Sequence, residues 1–141
     1  MKQKLKLALV GAGERGQYCY APYAKMHGYE IEFVAVADPH KGRREKFVQD
    51  YHVPAEGVFE TAEQFFARPR MADAVLICTQ DSQHYAYACQ AIDLGYSILL
   101  EKPISPSARE CLDLQRRAEE KGTQIMVCHV MRYTKFYRKL K

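Results

Sequence analysis

Val10-Gly11-Ala12-Gly13-Glu14-Arg15-Gly16 is the stretch on which the reading of this chain turns. It closes an apolar run, Leu5 to Val10, and opens a segment that can be helical. Three glycines at this spacing let a strand turn sharply into a helix. They also let backbone N–H groups and a helix N-terminus approach a pyrophosphate with no side chain in the way. Glycine-rich turns are common, so the spacing acquires meaning only from what surrounds it.

Outward from the turn, strand-like and helix-like segments alternate. A strand is expected over Lys4 to Val10, its near-continuous apolar end suited to burial on both faces. A helix should start near Glu14, with Pro22 ending or kinking it early. Glu30 to Ala37 reads as a second strand that ends on Asp38, and a polar helix follows from Lys41 to Tyr51. Val58-Phe59 is a short strand, and Thr61 with Gln64 three residues on marks a helix start that Pro69 terminates. Ala74 to Cys78 is a compact buried strand, and a polar loop, Thr79 to Gln83, leads into a helix from His84 to Leu94. In that helix Tyr85, Ala88, Cys89 and Ile92 are spaced to form one apolar face, and Gly95 suits its C-terminal cap. Ser97 to Leu100, a helix opening at Ser105-Pro106-Ser107 and closing at Gly122, and a last strand from Gln124 to His129 complete the series. Such alternation implies right-handed crossovers and a parallel sheet with helices on both faces. The fold expected is a doubly wound α/β Rossmann domain, a single domain of three layers.

Bulk properties narrow the function classes. The chain has 141 residues, 48% of them hydrophobic and 27% charged, which is the composition of a folded globular protein. A net charge of +4 spread along the chain does not suggest a nucleic-acid binder. The basic and aromatic tail Tyr133 to Lys141 reads as a solvated terminus. No apolar run approaches the roughly 20 residues of a membrane span, and the apolar segment after Met1-Lys2-Gln3-Lys4 is too short for a secretory signal. Five cysteines (Cys19, Cys78, Cys89, Cys111 and Cys128) are scattered, with no C-x-x-C spacing. They read as reduced thiols in a cytoplasmic protein, and no metal site is expected.

In a doubly wound sheet, ligands bind outside the carboxyl ends of the strands. The first strand brings the glycines there. The second brings Asp38, 22 residues after Gly16, near the spacing at which an acid accepts the adenosine ribose hydroxyls. An Asp-Pro pair is also an ordinary turn starter, but the strand–glycine–helix–strand context favours ribose binding. A carboxylate repels a 2′-phosphate, which favours NAD. Lys41, Arg43 and Arg44 lie close enough to offset that repulsion, which leaves NADP open. A P-loop would need a G-x-x-x-x-G-K-[ST] run, which is absent. A methyltransferase would share the glycine turn and the acid, so the first half of the chain leaves that reading open.

The second half separates them. Thr79-Gln80-Asp81-Ser82-Gln83-His84 resembles the T-P-x-x-x-H loop of the Gfo/Idh/MocA oxidoreductases, with Gln80 where proline is usual. Glu101-Lys102-Pro103 is similar to their E-K-P motif and stands 17 residues after His84, as in that family. Val127 to Tyr133 is similar to the strand and Arg-aromatic step that close their nucleotide domain, and Gly11 to Gly16 to their fingerprint. The resemblance implies that the backbone at Ala12, Gly13, Glu14 and Arg15 holds the pyrophosphate and that Asp38 holds the adenosine ribose. It implies that Arg43 covers the adenine, that Thr79 and Gln80 line the dinucleotide, and that His84 braces their loop. Glu101 would contact the nicotinamide ribose. Lys102 would sit beside the reacting carbon as the catalytic residue, orienting the substrate hydroxyl. An ammonium in a partly desolvated cleft favours developing alkoxide character, which agrees. His129 is as well read as a structural histidine as a substrate contact.

The same resemblance implies a nucleotide domain over residues 1–133, with 134–141 beginning the connection to a C-terminal substrate domain that these residues do not contain. The function expected is the cofactor half of an NAD(P)-dependent oxidoreductase acting on a sugar, polyol or related hydroxy compound, with little or no turnover by this chain alone. A non-catalytic dinucleotide-binding module, a redox sensor or partner subunit, is the alternative. A partly apolar cleft face would then be open to self-association.

Overall fold

The computed structural model describes residues 3–140. Six strands form one all-parallel sheet: β1 (Leu5–Val10), β2 (Ile31–Ala37), β3 (Val58–Phe59), β4 (Ala74–Ile77), β5 (Ser97–Leu100) and β6 (Ile125–Val127). Their order is β3-β2-β1-β4-β5-β6, so the chain moves outward from β1 one way, returns, and moves outward the other way. The reversal lies between β1 and β4, the switch point at which this architecture leaves a crevice.

Helices cover both faces: α1 (Pro22–Met26), α2 (Lys41–Tyr51), α3 (Ala62–Phe66), α4 (His84–Asp93) and α5 (Ala108–Lys121). A short α6 (Lys135–Lys139) lies beyond the sheet. On one face Ala8, Val10, Val75, Ile77 and Leu100 pack under Phe65, Tyr87, Ile92 and Leu114. On the other, Leu7, Leu9, Phe33, Val36 and Leu76 pack under Ala24 and Phe47. Alternate residues of β1 therefore serve opposite layers, and the central strands read as continuous apolar runs because both their faces are buried. A bulge interrupts the alternation where Leu7 pairs with Phe33 but Ala8 with Ala35. Gly57 packs against it so closely that a Cβ there would lie 2.0 Å from the Val34 carbonyl oxygen.

The segment after the glycines departs from the single helix expected. Glu14–Tyr20 forms a wide π-helical turn in which the Ala21 N–H reaches back five residues to the Gly16 carbonyl at 3.0 Å. That turn stops at Tyr20, short of Pro22, and Pro22, lacking an N–H, starts α1 at its first position. The amide ladder cannot run through Pro22 with α-helical spacing, and the wider turn carries it to the break.

The apolar face of α4 is also rotated from the expected one. His84, Tyr87, Ala88, Ala91 and Ile92 are buried, while Tyr85 and Cys89 flank them. The Tyr85 hydroxyl instead donates to Asp113 of α5 at 2.7 Å, so its ring spans two helices rather than facing the sheet. The last strand is three residues long where six were expected, because β5 is its one neighbour and their register ends at Leu100↔Val127.

Candidate functional site

Register decides which side chains share the carboxyl edge of the sheet. Val10 is level with Ala37 on one side and Ile77 on the other; Ile77 is level with Leu100, and Leu100 with Val127. The next residue of each strand therefore stands in one row: Asp38, Gly11, Cys78, Glu101 and Cys128, in spatial order.

At the Gly11 end the main chain does most of the shaping. Gly11 has φ +93°, and a Cβ there would lie 2.5 Å from the Cys78 carbonyl oxygen. A Cβ on Gly16 would lie 2.4 Å from the Gly11 carbonyl oxygen. These two glycines let the turn close on itself and on its neighbouring strand. Gly13 differs. A Cβ there would meet only the Arg43 guanidinium, 3.9 Å away, so that side of the turn is open and carries a cation at its rim.

Asp38 is buried, and its two carboxylate oxygens accept from the Ala12 and His40 backbone N–H groups, each at 2.8 Å. The acid is thus tied across from β2 into the glycine turn. Each oxygen keeps a second lone pair, which is what a ribose hydroxyl would use. Arg44, also buried, donates to the Asp38 carbonyl at 2.6 Å, so it acts on the main chain of this corner. Beside the turn lies a cavity of about 260 Å³ bounded by Gly11, Ala37, Pro39, Thr61, Thr79 and Tyr87.

The Thr79 loop is held from below. His84, buried at the start of α4, places Nδ1 2.6 Å from the Pro103 carbonyl oxygen and Nε2 3.2 Å from the Thr79 carbonyl oxygen. One ring thus bridges the loop after β4 and the corner after β5. Gln80, where a proline had been the family expectation, closes a capping box with Gln83 over a short 3₁₀ turn (Asp81–Gln83). The amide ring of hydrogen bonds shapes the turn that a fixed φ would otherwise favour. The Thr79 hydroxyl oxygen is buried with no hydrogen-bond partner among the described residues.

These features test whether a dinucleotide fits. An open Gly13 face beside a guanidinium, a lone pair left on each Asp38 oxygen and an orphaned Thr79 hydroxyl all present unmet binding capacity along one edge. The residues fit the group. Gly13 to Arg15 would hold its pyrophosphate, with Arg43 adjacent; the Ala12 N–H, expected to join them, is instead spent on the Asp38 carboxylate.

At the far end, Glu101 is buried, and its Oε2 accepts the Lys102 backbone N–H at 3.0 Å. Its Oε1 accepts the Tyr20 hydroxyl, which arrives from the π-helical turn 81 residues earlier. Burial first, then the Cys128 thiol and the Glu101 carboxylate, push the Tyr20 phenol well above the usual tyrosine range. Burial likewise pushes the Cys78 thiol up, so it is a packing group in this row rather than a nucleophile. The Lys102 side chain is exposed, and its ammonium has no ion-pair partner among the described residues. Lys102–Pro103 is a cis peptide. Glu14 and Arg15 are exposed on the turn, Arg15 with Nη1 3.9 Å from the Cys19 sulfur. His129 is exposed just past β6. Tyr20 is the member of this corner that the sequence did not signal, because nothing local marks a partner that distant.

Fold and edge together define a nucleotide-binding α/β domain with a charged corner beside the nucleotide track. The chain belongs to the Gfo/Idh/MocA oxidoreductase family, whose NAD-binding Rossmann fold matches residues 5–129. It is 31% identical over 139 residues to an inositol 2-dehydrogenase of Pseudomonas syringae pv. syringae, covering 97% of this chain and 40% of that protein. It is 26% identical over 130 residues to the scyllo-inositol 2-dehydrogenase (NADP(+)) IolW of Bacillus subtilis, covering 92% of this chain and 34% of that one. In structure it superposes with a TM-score of 0.87 on the WlbA dehydrogenase of Bordetella pertussis, solved with NADH and UDP-GlcNAcA, at 19% identity over 99% of this chain and 41% of the other. The chain thus spans about 40% of the length of the curated relatives it matches most fully. No described helix is long and apolar enough to cross a membrane.

Proposed function

We propose that the chain is the cofactor-binding portion of an NAD(P)-dependent oxidoreductase that moves hydride between the nicotinamide and a hydroxyl-bearing carbon of a sugar, polyol or related compound. One observation carries this reading: Glu101 and the unpaired ammonium of Lys102 stand on the same sheet edge as the glycine turn and Asp38. A domain that only bound a dinucleotide would have no use for a free ammonium at that end. The names of the inositol dehydrogenases support the substrate class.

Each residue then has a role set by its place. N–H groups from Gly13 to Arg15 receive the pyrophosphate, which a helix-like N-terminus favours electrostatically, while the Ala12 N–H is already donated to Asp38. Asp38 accepts from the adenosine ribose, and its charge selects against a 2′-phosphate. Arg43 covers the adenosine–phosphate side, Thr79 and Gln80 line the track, and His84 holds their loop. Bound NAD supplies the hydride acceptor. Glu101 receives the nicotinamide-side ribose. Lys102 donates to the substrate hydroxyl oxygen and stabilises the negative charge that grows there as the hydride departs. The hydroxyl proton needs a separate acceptor, a contribution worth roughly 10²–10⁴-fold. No second layer facing Lys102 lies among the described residues, and this chain alone should bind nucleotide with little or no turnover.

Calorimetric titration of the 141-residue chain with NAD and NADP tests the reading. NAD is expected to bind and to be preferred. Preference for NADP would overturn the role of Asp38, and failure of both to bind would overturn the assignment. Steady-state oxidation of inositol or a sugar by this chain alone would contradict the expected absence of turnover.

A further inference from the structure

The Tyr20 hydroxyl and the Glu101 carboxylate join two segments that the nucleotide track needs in register, yet neither the glycine turn nor the Glu-Lys-Pro corner requires a tyrosine for its own fold. The ring of Tyr20 packs against the apolar layer under Leu9 and Phe33, so its bulk is accounted for by the core. Its hydroxyl is not: it leaves that layer to reach Glu101 beside the Cys128 thiol. Glu101 is buried and has two partners, Tyr20 on Oε1 and the Lys102 N–H on Oε2. A carboxylate so placed is held at both oxygens, and each oxygen keeps one lone pair for a further donor.

Topology shows what that donor would be. Asp38 stands one strand from Gly11 on one side, and Glu101 stands two strands away on the other. Strands lie about 4.8 Å apart, so a nucleotide with its first ribose at Asp38 and its pyrophosphate over the glycine turn extends its second ribose toward Glu101. We propose that Tyr20 is a positioning residue: its hydroxyl fixes the Glu101 carboxylate, and through it the Lys102 backbone, in the orientation that receives the nicotinamide-side ribose. This rests on the reading of the chain as an NAD-binding oxidoreductase domain. Because Tyr20 lies in the turn that starts at Glu14, the segment that holds the pyrophosphate also sets the angle of the reactive corner. The link is a charge-assisted hydrogen bond in a water-poor setting, where such bonds are at their strongest.

Calorimetry of the full chain with NAD and with ADP, which lacks the second ribose and the nicotinamide, tests the proposal. Tyr20→Phe keeps the ring in its layer and removes only the donor. The wild type should bind NAD more tightly than ADP. Tyr20→Phe should weaken NAD about tenfold, equivalent to about 1.4 kcal/mol, and leave ADP within twofold. Glu101→Gln should lose a similar part of the NAD excess, and the double variant should lose no more than the stronger single, which marks the two groups as one unit. Equal weakening of NAD and ADP by Tyr20→Phe would reduce the residue to a structural role and overturn the proposal. So would full additivity in the double variant, or a wild type with no preference for NAD over ADP. A wild type that binds neither nucleotide overturns instead the functional reading beneath it.

Discussion

The two ends of the nucleotide edge are built by different means. On the Gly11 side the site is made of main chain: two glycines with no room for a Cβ, and an acid whose oxygens are tied to backbone N–H groups from neighbouring segments. On the Glu101 side it is made of side chains borrowed from elsewhere, a tyrosine from the π-helical turn and a histidine from α4, around a lysine whose ammonium has no ion-pair partner among the described residues. The end read as binding the adenosine half is therefore part of what makes the domain fold. The end read as chemical is attached to that fold by two side-chain bridges, one of them a buried ring. Stability and function should separate along this division, and substitutions can show whether they do.

The sharpest separation lies within the glycine turn itself. In Gly16→Ala the new Cβ meets the Gly11 carbonyl oxygen at 2.4 Å and a Leu9 methyl at 2.9 Å, both inside the sheet–turn junction. Overpacking of this kind is expected to lower the urea unfolding free energy by about 3 kcal/mol. Gly13→Ala meets only a mobile guanidinium at 3.9 Å. Its stability should stay within about 0.5 kcal/mol of wild type, while NAD affinity falls about tenfold because the methyl occupies the open face of the turn. If Gly13→Ala unfolds as readily as Gly16→Ala, the three glycines act as one structural unit and the Gly13 face is not a binding surface separable from the fold.

The other end reverses the pattern. His84→Ala removes a buried ring that touches the carbonyls of both Thr79 and Pro103, leaving a cavity and loosening two loops together. A loss of about 2–4 kcal/mol in urea unfolding is expected. Lys102→Ala removes an exposed side chain and should leave the unfolding midpoint unchanged and NAD affinity within about threefold. A destabilised Lys102→Ala would place that lysine in the fold and weaken its reading as a free catalytic cation.

The same division explains what was legible in the sequence. The strands, the helices between them and the parallel, two-sided sheet follow from apolar runs and punctuation, and these are local: Leu5–Val10, Ala74–Ile77 and the glycine that caps α5 were all visible as residues near one another. Asp38 was legible because its spacing from Gly16 is fixed by one strand–helix–strand unit. The rotation of α4 was not, because it depends on Asp113 of α5 drawing Tyr85 aside, a contact 28 residues away. Nor was the widened turn at Glu14–Tyr20, where Pro22 set a boundary but not the way the amides would reach it. The bond between Tyr20 and Glu101 was least legible of all. Local pattern carries no information on pairs 81 residues apart, and the motifs that drew attention to Glu101 contain no tyrosine.

The smallest effect expected concerns pH, and it tests the side-chain end without altering a residue. The folded-state value of the Tyr20 phenol is raised, first by burial and then by Cys128 and Glu101. A group raised in this sense contributes stability that is complete below its unfolded value, near 10 for tyrosine, and is lost only as pH rises through the folded value. The hydroxyl therefore remains a donor to Glu101 through the whole range in which NAD binding can be measured. The ratio of NAD to ADP affinity in the wild-type chain should stay within about twofold between pH 6.5 and 9. ADP serves as the internal control, because it reaches only the main-chain end. A ratio that falls with a midpoint near pH 8, while ADP binding stays level, would mean that a more acidic group orients the Glu101 corner. The bridge from the glycine turn would then not be what holds it.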